Sequence, residues 1–161
     1  MTSWHNFRVT RRPLSLCGTH DIRYRSGVIT NDGTVGVGLA GFGTVGSGVW
    51  NALAKNGGLI TERSGSGVQF EIHQIVVRDP AKPREATAPA ELFTTDWKSM
   101  VENPLVDIVI ELIGGTEEAF ELVAESLEAG KPVVTGNKAL LAERGEEVFA
   151  LARRHQTPVY F

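Results

Sequence analysis

From residue 34 onward, short apolar runs alternate with stretches in which apolar residues recur every three or four positions. The apolar runs predict five β-strands, at Val35–Ala40, Val68–Val77, Val106–Leu112, Pro132–Thr135 and Thr157–Phe161. The third of these runs is apolar almost throughout, which is typical of a strand that a parallel sheet buries on both faces.

The segments between the strands predict four helices, at about 44–55, 97–101, 117–129 and 139–155. Asn56-Gly57-Gly58 predicts the end of the first helix, Gly130 is placed to cap the third, and Gly145 predicts an interruption in the fourth. Strands that alternate with helices favour right-handed βαβ crossovers. We therefore expect an α/β fold with a Rossmann-type, doubly wound parallel sheet in three layers.

The turn after the first strand carries the pattern G-x-G-x-x-G, as Gly41-Phe42-Gly43-Thr44-Val45-Gly46. In the order strand, turn, helix, Gly41 permits the tight turn, Gly43 permits a close approach of a pyrophosphate, and Gly46 permits close helix packing. The helix then presents free N–H groups and its positive dipole end to the phosphates. The alternative is a glycine-rich turn without a ligand, but the strand–turn–helix context favours a nucleotide site.

Charged residues follow the second strand, where the adenosine ribose arrives in a dinucleotide-binding fold. A carboxylate there accepts hydrogen bonds from the ribose hydroxyls, whereas a cation favours a 2′-phosphate. Arg78 comes first, and Lys82 and Arg84 lie close by in the sequence, so NADP(H) is favoured. Asp79 keeps NAD(H) possible, and the alternative for each residue is a solvated surface charge.

Composition narrows the choice of partners and compartment. A net charge of −3 gives no reason to expect nucleic acid as a partner, and no apolar run approaches the ~18 residues of a membrane span. Cys17 is the single cysteine, so an internal disulfide is excluded and a reducing, cytoplasmic location fits. No motif in the sequence points to a bound metal.

Residues 1–33 differ from the rest in charge. They carry five arginines and two aspartates, a local charge of +5 − 2 = +3 in a chain whose total is −3. An arginine-rich, acid-poor segment is typical of organelle transit peptides, but the amphipathic spacing of such peptides is absent. We expect a poorly ordered extension or a start codon assigned too early, with the globular domain at 34–161.

Four segments in the expected order resemble one enzyme family. They are Val37–Val49, the strand end Val77–Asp79, Asp107–Gly115 and Val133–Ala142. Together they resemble the amino-terminal nucleotide-binding domain of homoserine dehydrogenase, and the resemblance covers roughly Thr34–Phe161. That family reduces L-aspartate 4-semialdehyde to L-homoserine with NADPH or NADH, on the route to threonine and methionine.

The resemblance also implies roles for particular residues. The backbone of Phe42, Thr44 and Val45 would contact the pyrophosphate, and Gly115 and Thr116 would lie near the nicotinamide ribose. The Asn137-Lys138 pair would belong to the cofactor site. Lys138 corresponds to the family's lysine at the junction of cofactor and substrate, where its charge can stabilise negative charge on the carbonyl oxygen. Without the resemblance, Lys138 would be a surface lysine at a helix start.

Two departures from the family pattern accompany the resemblance. Gly136 stands where the family usually has alanine, and the chain stops at Phe161, where the family continues into its substrate domain. We therefore expect a homodimer only at full length, and cofactor binding with little turnover from these 161 residues. The alternatives are a free-standing NAD(P)-binding module without catalysis, and another Rossmann dehydrogenase that acts on a related aldehyde.

Overall fold

A computed structural model describes residues 33–64, 67–84 and 86–161, so the segment predicted as an N-terminal extension lies almost wholly outside the described residues. The elements in chain order are β1 (Thr34–Ala40), α1 (Thr44–Ser64), β2 (Gln69–Val76), a 3-10 turn (Ala90–Leu92), β3 (Phe93–Thr94), α2 (Trp97–Glu102), β4 (Ile108–Glu111), α3 (Glu117–Glu128), β5 (Val133–Thr135), α4 (Lys138–His155) and β6 (Val159–Tyr160). The strands form one sheet in the order β3-β2-β1-β4-β5-β6, and every neighbouring pair is parallel.

This order confirms the predicted doubly wound sheet. The chain winds outward from β1 through β2 to β3, and then returns to the centre and winds outward in the other direction from β4 to β6. The two-residue strand β3 was not predicted, because Phe93-Thr94 is too short to show an alternating pattern. It exists through its pairing with Ile75 and Val76 of β2.

The predicted end of the first helix at Asn56-Gly57-Gly58 is wrong, because α1 continues to Ser64. Each glycine costs a helix about 1 kcal/mol, which weakens a helix without ending it. Neither Gly57 nor Gly58 adopts the positive φ that would turn the chain away. The Thr61 hydroxyl donates to the carbonyl of Gly57 at 2.9 Å and joins the turns on either side of the pair.

The predicted features of the later helices are present. Gly130 follows α3 with φ of +75°, the left-handed conformation of a glycine cap. The structure also shows a cap at the start of α2, where the Asp96 side chain accepts from the N–H groups of Lys98 and Ser99. The interruption predicted at Gly145 falls one residue earlier. Arg144 leaves helical geometry at φ −129° and ψ 16° and divides α4 into two segments.

Helices cover both faces of the sheet and form two separate cores. On one face, α2, α3 and α4 pack around fully buried residues that include Met100, Leu122 and Leu140. On the other, α1 packs its Val49, Trp50 and Leu53 against a core that contains Leu39 and Ile75. The sheet is therefore the middle of three layers, as the alternation of elements predicts.

The two faces of strand β1 carry residues of different size. Val37 and Leu39 point toward the α1 side, and Gly36 and Gly38 alternate with them. A Cβ at Gly36 would lie 1.7 Å from the carbonyl oxygen of Leu105, and one at Gly38 would lie 2.7 Å from Sδ of Met100. The two glycines therefore let α2 and the segment after it reach the backbone of the central strand.

Across the described ranges, no helix combines the length and apolarity that a membrane crossing requires.

Candidate functional site

The carboxyl ends of β1, β2 and β4 surround a cavity of about 650 Å³. It lies where the strand order reverses between β1 and β4, the crevice in which open α/β sheets bind ligands. Its walls come from three segments, namely the glycine turn, the end of β2 with the following loop, and the end of β4. The lining residues are Gly41, Phe42, Gly43, Thr44, Ser47, Val77, Arg78, Asp79, Lys82, Pro83, Arg84, Leu112, Ile113 and Gly114.

The three glycines of the turn occupy different environments. Gly41 has φ of +100°, and a Cβ there would lie 2.5 Å from the carbonyl oxygen of Leu112. A Cβ at Gly46 would lie 2.1 Å from the carbonyl oxygen of Gly41. Gly43, by contrast, has open space on its Cβ side. Two glycines are thus required by the turn itself, whereas Gly43 leaves room for something outside the protein.

The side chains of the turn divide between core and surface. Phe42 lines the cavity but is buried, with its ring edge-on to Phe93 at 5.2 Å and to Trp50 at 6.3 Å between ring centroids. Thr44 is exposed and lines the cavity. Val45 is 63% exposed on α1 outside the lining, and its backbone lies in the first turn of the helix.

The loop after β2 places three cations, Arg78, Lys82 and Arg84, and the carboxylate of Asp79 on the second wall. Arg78 is exposed, and its Nη2 donates to the carbonyl of Gly114 at 3.1 Å. The guanidinium of Arg84 donates to the carbonyls of Pro80 and Lys82 at 3.0 and 2.7 Å and lies over the ring of Phe93. The loop is therefore wrapped around the Arg84 cation.

Asp79 has its side chain engaged within the same loop, where Oδ1 accepts from the N–H of Ala81 at 2.9 Å. The wall thus combines one carboxylate that already holds a turn with the cation Arg78, whose side chain is 74% exposed and whose Nη2 lies 3.8 Å from a carboxylate oxygen of Glu118. This arrangement favours an anionic ligand.

The remaining predicted site residues lie beside the cavity rather than in its wall. Gly115, with φ of +92°, and Thr116 form the turn between β4 and α3, while Asn137 caps α4, which begins at Lys138. The Asn137 side chain donates to the carbonyls of Ile113 and Gly115 at 3.1 and 2.7 Å. The structure therefore brings these two turns together at the same edge of the sheet.

Glu111, the last residue of β4, was given no role from the sequence and proves to be fully buried. Its carboxylate accepts from the hydroxyl of Thr135 at 2.5 Å and from the N–H of Ile113 at 2.9 Å. Burial raises the pKa of the Glu111 carboxyl, although these hydrogen bonds act in the opposite direction. The signal in the sequence was an acid flanked by apolar residues near the end of the strand, three positions before the first glycine of the following turn.

In the part of the chain that the structure describes, no three His, Cys, Asp or Glu side chains come together in a way that could hold a metal ion. Arg78, Lys82 and Arg84 line the cavity, and the N-terminus of α1 adds the positive end of its dipole.

Comparisons with known proteins agree with this architecture. The family model described as "Homoserine dehydrogenase, NAD binding domain" matches residues 41–161. A homoserine dehydrogenase of Pseudomonas aeruginosa is 46% identical over 127 residues, which are 79% of this chain and 28% of that protein. One of Corynebacterium glutamicum is 43% identical over 127 residues, with the same two coverages. The chain spans less than a third of the length of these relatives.

Two solved structures share the fold. The homoserine dehydrogenase of S. aureus at pH 7.5 superposes with a TM-score of 0.73 at 30% identity, over 80% of this chain and 32% of that one. The homoserine dehydrogenase of Thiobacillus denitrificans gives a TM-score of 0.70 at 40% identity, over 80% of this chain and 29% of that one.

Proposed function

Because the chain belongs to the homoserine dehydrogenase NAD-binding domain family, we propose that it supplies the cofactor site of a homoserine dehydrogenase. Such an enzyme reduces L-aspartate 4-semialdehyde to L-homoserine, and the nicotinamide supplies the hydride when it is bound. The observation that carries the proposal is the cavity at the reversal of strand order, which Gly43 lines and at which a Cβ on Gly43 would meet open space. A Cβ at Gly43 would project into the space that a diphosphate needs.

Each wall of the cavity would then act on a different part of the dinucleotide. The first N–H groups of α1 would hold the pyrophosphate, since a helix N-terminus presents unpaired donors together with the positive end of its dipole. The loop with Arg78 would receive the adenosine ribose. Gly115 and Thr116 would lie toward the nicotinamide ribose, in the turn next to the cavity.

Lys138 would act at the junction of cofactor and substrate. It is exposed and is the first residue of α4, directly after the Asn137 cap. An ammonium group in that position can orient substrate oxygens and lower the energy of negative charge that develops on the carbonyl oxygen. The chain spans 28% of the length of its curated relatives, and the contacts that bind the amino acid and relay the proton would lie in the part of such an enzyme that the chain does not span.

The binding proposal is tested by titrating the purified chain with NADPH and NADH, following nicotinamide fluorescence, alongside an assay of homoserine oxidation. We expect saturable binding of at least one cofactor and little turnover, because positioning of the substrate and proton transfer need groups beyond the chain. A folded chain with affinity for neither cofactor would overturn the proposal.

We further propose that NADP(H) is preferred. The support is the excess of cations on the second wall and the engagement of Asp79 with the N–H of Ala81. Arg78 remains 74% exposed, although its Nη2 lies 3.8 Å from a carboxylate oxygen of Glu118. Arg78→Ala should weaken NADPH binding about 20-fold and NADH binding little, because a charge-assisted contact to the 2′-phosphate is lost. Arg63→Ala, which removes an arginine from the far end of α1, is the matched control. Equal losses for both cofactors would refute the assignment.

Family membership also supports two expectations about the whole protein, a homodimeric state and a cytoplasmic location. The first would be checked by analytical ultracentrifugation of the full-length protein and the second by cell fractionation.

A further inference from the structure

A buried carboxylate ties together the ends of two strands beside the cavity. Glu111 uses one oxygen to accept from the N–H of Ile113 and the other to accept from the hydroxyl of Thr135. The first contact holds the turn that leaves β4, and the second joins β4 to β5. Both strands end at the same edge of the sheet as the glycine turn.

The Thr135 hydroxyl extends this connection to α4. Its oxygen accepts from the N–H of Asn137 at 3.1 Å, and the amide of Asn137 donates back to the carbonyls of Ile113 and Gly115. Oδ1 of Asn137 meanwhile accepts from the N–H of Leu140 and caps α4. The hydrogen bonds close a ring that runs through Glu111, Thr135, Asn137 and Ile113.

This ring lies beneath the two turns that the proposed function assigns to the nicotinamide end. The loop assigned to the adenosine end meets the first of these turns through the hydrogen bond from Arg78 to the carbonyl of Gly114. Gly115 is held directly by Asn137, and Lys138 is the next residue along the chain. A carboxyl group without solvent exposure is costly to bury, and packing alone would be served equally well by an apolar side chain. The specific contribution of Glu111 is therefore to the relative position of the two turns.

We propose that Glu111, acting through Thr135 and Asn137, is a positioning residue that holds Gly115, Thr116 and Lys138 in register for the nicotinamide half of the cofactor. The inference rests on the proposed function. It separates the site into two parts. The glycine turn and the Arg78 loop, whose residues are not members of the ring, bind the adenosine and phosphates, whereas the nicotinamide half depends on the buried ring.

Thr135→Val tests this separation, because valine keeps the volume but removes the hydroxyl that joins Glu111 to Asn137. Binding is measured for NADPH and for adenosine 2′,5′-bisphosphate, which lacks the nicotinamide half; if the chain prefers NADH, the pair is NADH and ADP. We expect Thr135→Val to weaken the dinucleotide about fivefold and to change the fragment less than about twofold. Thr135→Ser retains the hydroxyl and should restore the wild-type ratio.

Thr157→Val is the matched control. Thr157 is also buried and its hydroxyl donates to the carbonyl of Leu127 at 3.2 Å, but it precedes β6, at the opposite edge of the sheet. This variant should lower the melting temperature without changing the ratio of the two affinities. If Thr135→Val yields no folded protein, Asn137→Ser replaces it, because serine caps α4 equally well but cannot bridge to Gly115.

The possible results distinguish failure of the positioning role from failure of the proposed function. A wild-type chain that binds neither cofactor refutes the proposed function. A wild-type chain that binds NADPH, with a Thr135→Val variant that loses both ligands equally or neither, refutes the positioning role. A loss confined to the dinucleotide, restored by Thr135→Ser and absent in Thr157→Val, supports it.

Discussion

Three glycine-to-alanine substitutions within one short stretch should have three different effects, because the three sites differ in the space around them. Gly43, Gly46 and Gly48 lie within six residues of one another, at and just after the glycine turn. Only Gly46 meets a backbone atom at short range, since a Cβ there would lie 2.1 Å from the carbonyl oxygen of Gly41. Gly43 and Gly48 have no atom within 4 Å of the added carbon.

Gly46→Ala should destabilise the domain. An ordinary contact between a carbon and a carbonyl oxygen is about 3.3 Å, so the backbone of Gly41 would have to retreat by about 3.3 − 2.1 = 1.2 Å. That retreat is opposed by the hydrogen bond from the N–H of Gly41 to the carbonyl of Val76 at 2.9 Å. Overpacking of this kind costs about 3 kcal/mol of the free energy of unfolding.

Gly43→Ala should leave stability within about 0.5 kcal/mol of the wild type. The residue is at the N-cap position of α1, as its carbonyl accepts from the N–H of Ser47 at 2.8 Å. Alanine is a poorer N-cap than glycine, but it also restricts the unfolded chain, and the two effects are opposite and similar in size. Its methyl group nevertheless projects toward the proposed diphosphate, so NADPH should bind about 30-fold more weakly, a loss of about 2 kcal/mol.

Gly48→Ala is the control for both variants. It lies inside α1 and outside the cavity wall, so alanine should stabilise the helix by up to about 1 kcal/mol and leave NADPH affinity unchanged. Urea denaturation and isothermal titration calorimetry measure the two quantities for all three variants. If Gly43→Ala binds NADPH as tightly as the wild type, the diphosphate does not lie against this residue and the site argument fails.

Three further predictions concern stability. Burial raises the pKa of Glu111 above its usual 4.5, so the folded chain retains that proton to higher pH than the unfolded chain. The contribution of Glu111 to stability is therefore greatest below about pH 4.5, and it declines as the pH rises through the raised pKa. Glu111→Gln should flatten this decline in urea denaturation carried out at a series of pH values, and an unchanged slope would show that the carboxyl titrates normally. Gly36→Ala should lower the free energy of unfolding by at least about 3 kcal/mol or prevent folding, because its Cβ would lie 1.7 Å from the carbonyl oxygen of Leu105. Circular dichroism measures this, and a folded variant of wild-type stability would contradict the close approach. Leu122→Ala removes a fully buried side chain of α3 and should lower the free energy of unfolding by about 3 kcal/mol. Leu59→Ala, at a half-exposed position, should lower it by less than about 0.5 kcal/mol. Similar losses at both sites would refute the assignment of the core.

Much of the fold was predictable because its signals are local. A few neighbouring residues are enough to predict the apolar run at 106–112, the glycine turn at 41–46 and the cap at Gly130. The failures also have local causes. The pair Gly57-Gly58 is typical of a helix end, yet a helix continues through it where the flanking residues favour helix, and Phe93-Thr94 carries no pattern of its own.

The candidate site was predictable in part. The glycine turn and the charges after β2 follow motifs with fixed spacing, and the structure places them around one cavity. The role of Glu111 had no such motif, because its partners Thr135 and Asn137 lie more than twenty residues away. Only the pairing of β4 with β5 brings them within hydrogen-bonding distance.

The sequence by itself determined the succession of strands and helices and the turn that presents backbone amides, since periodicity and glycine act through neighbouring residues. Tertiary structure alone decided which strands lie side by side, why Gly36 and Gly38 must lack side chains, and how a buried carboxylate connects two turns. Those features depend on contacts between residues far apart in the chain, whose free energies arise only when the sheet and its helices assemble.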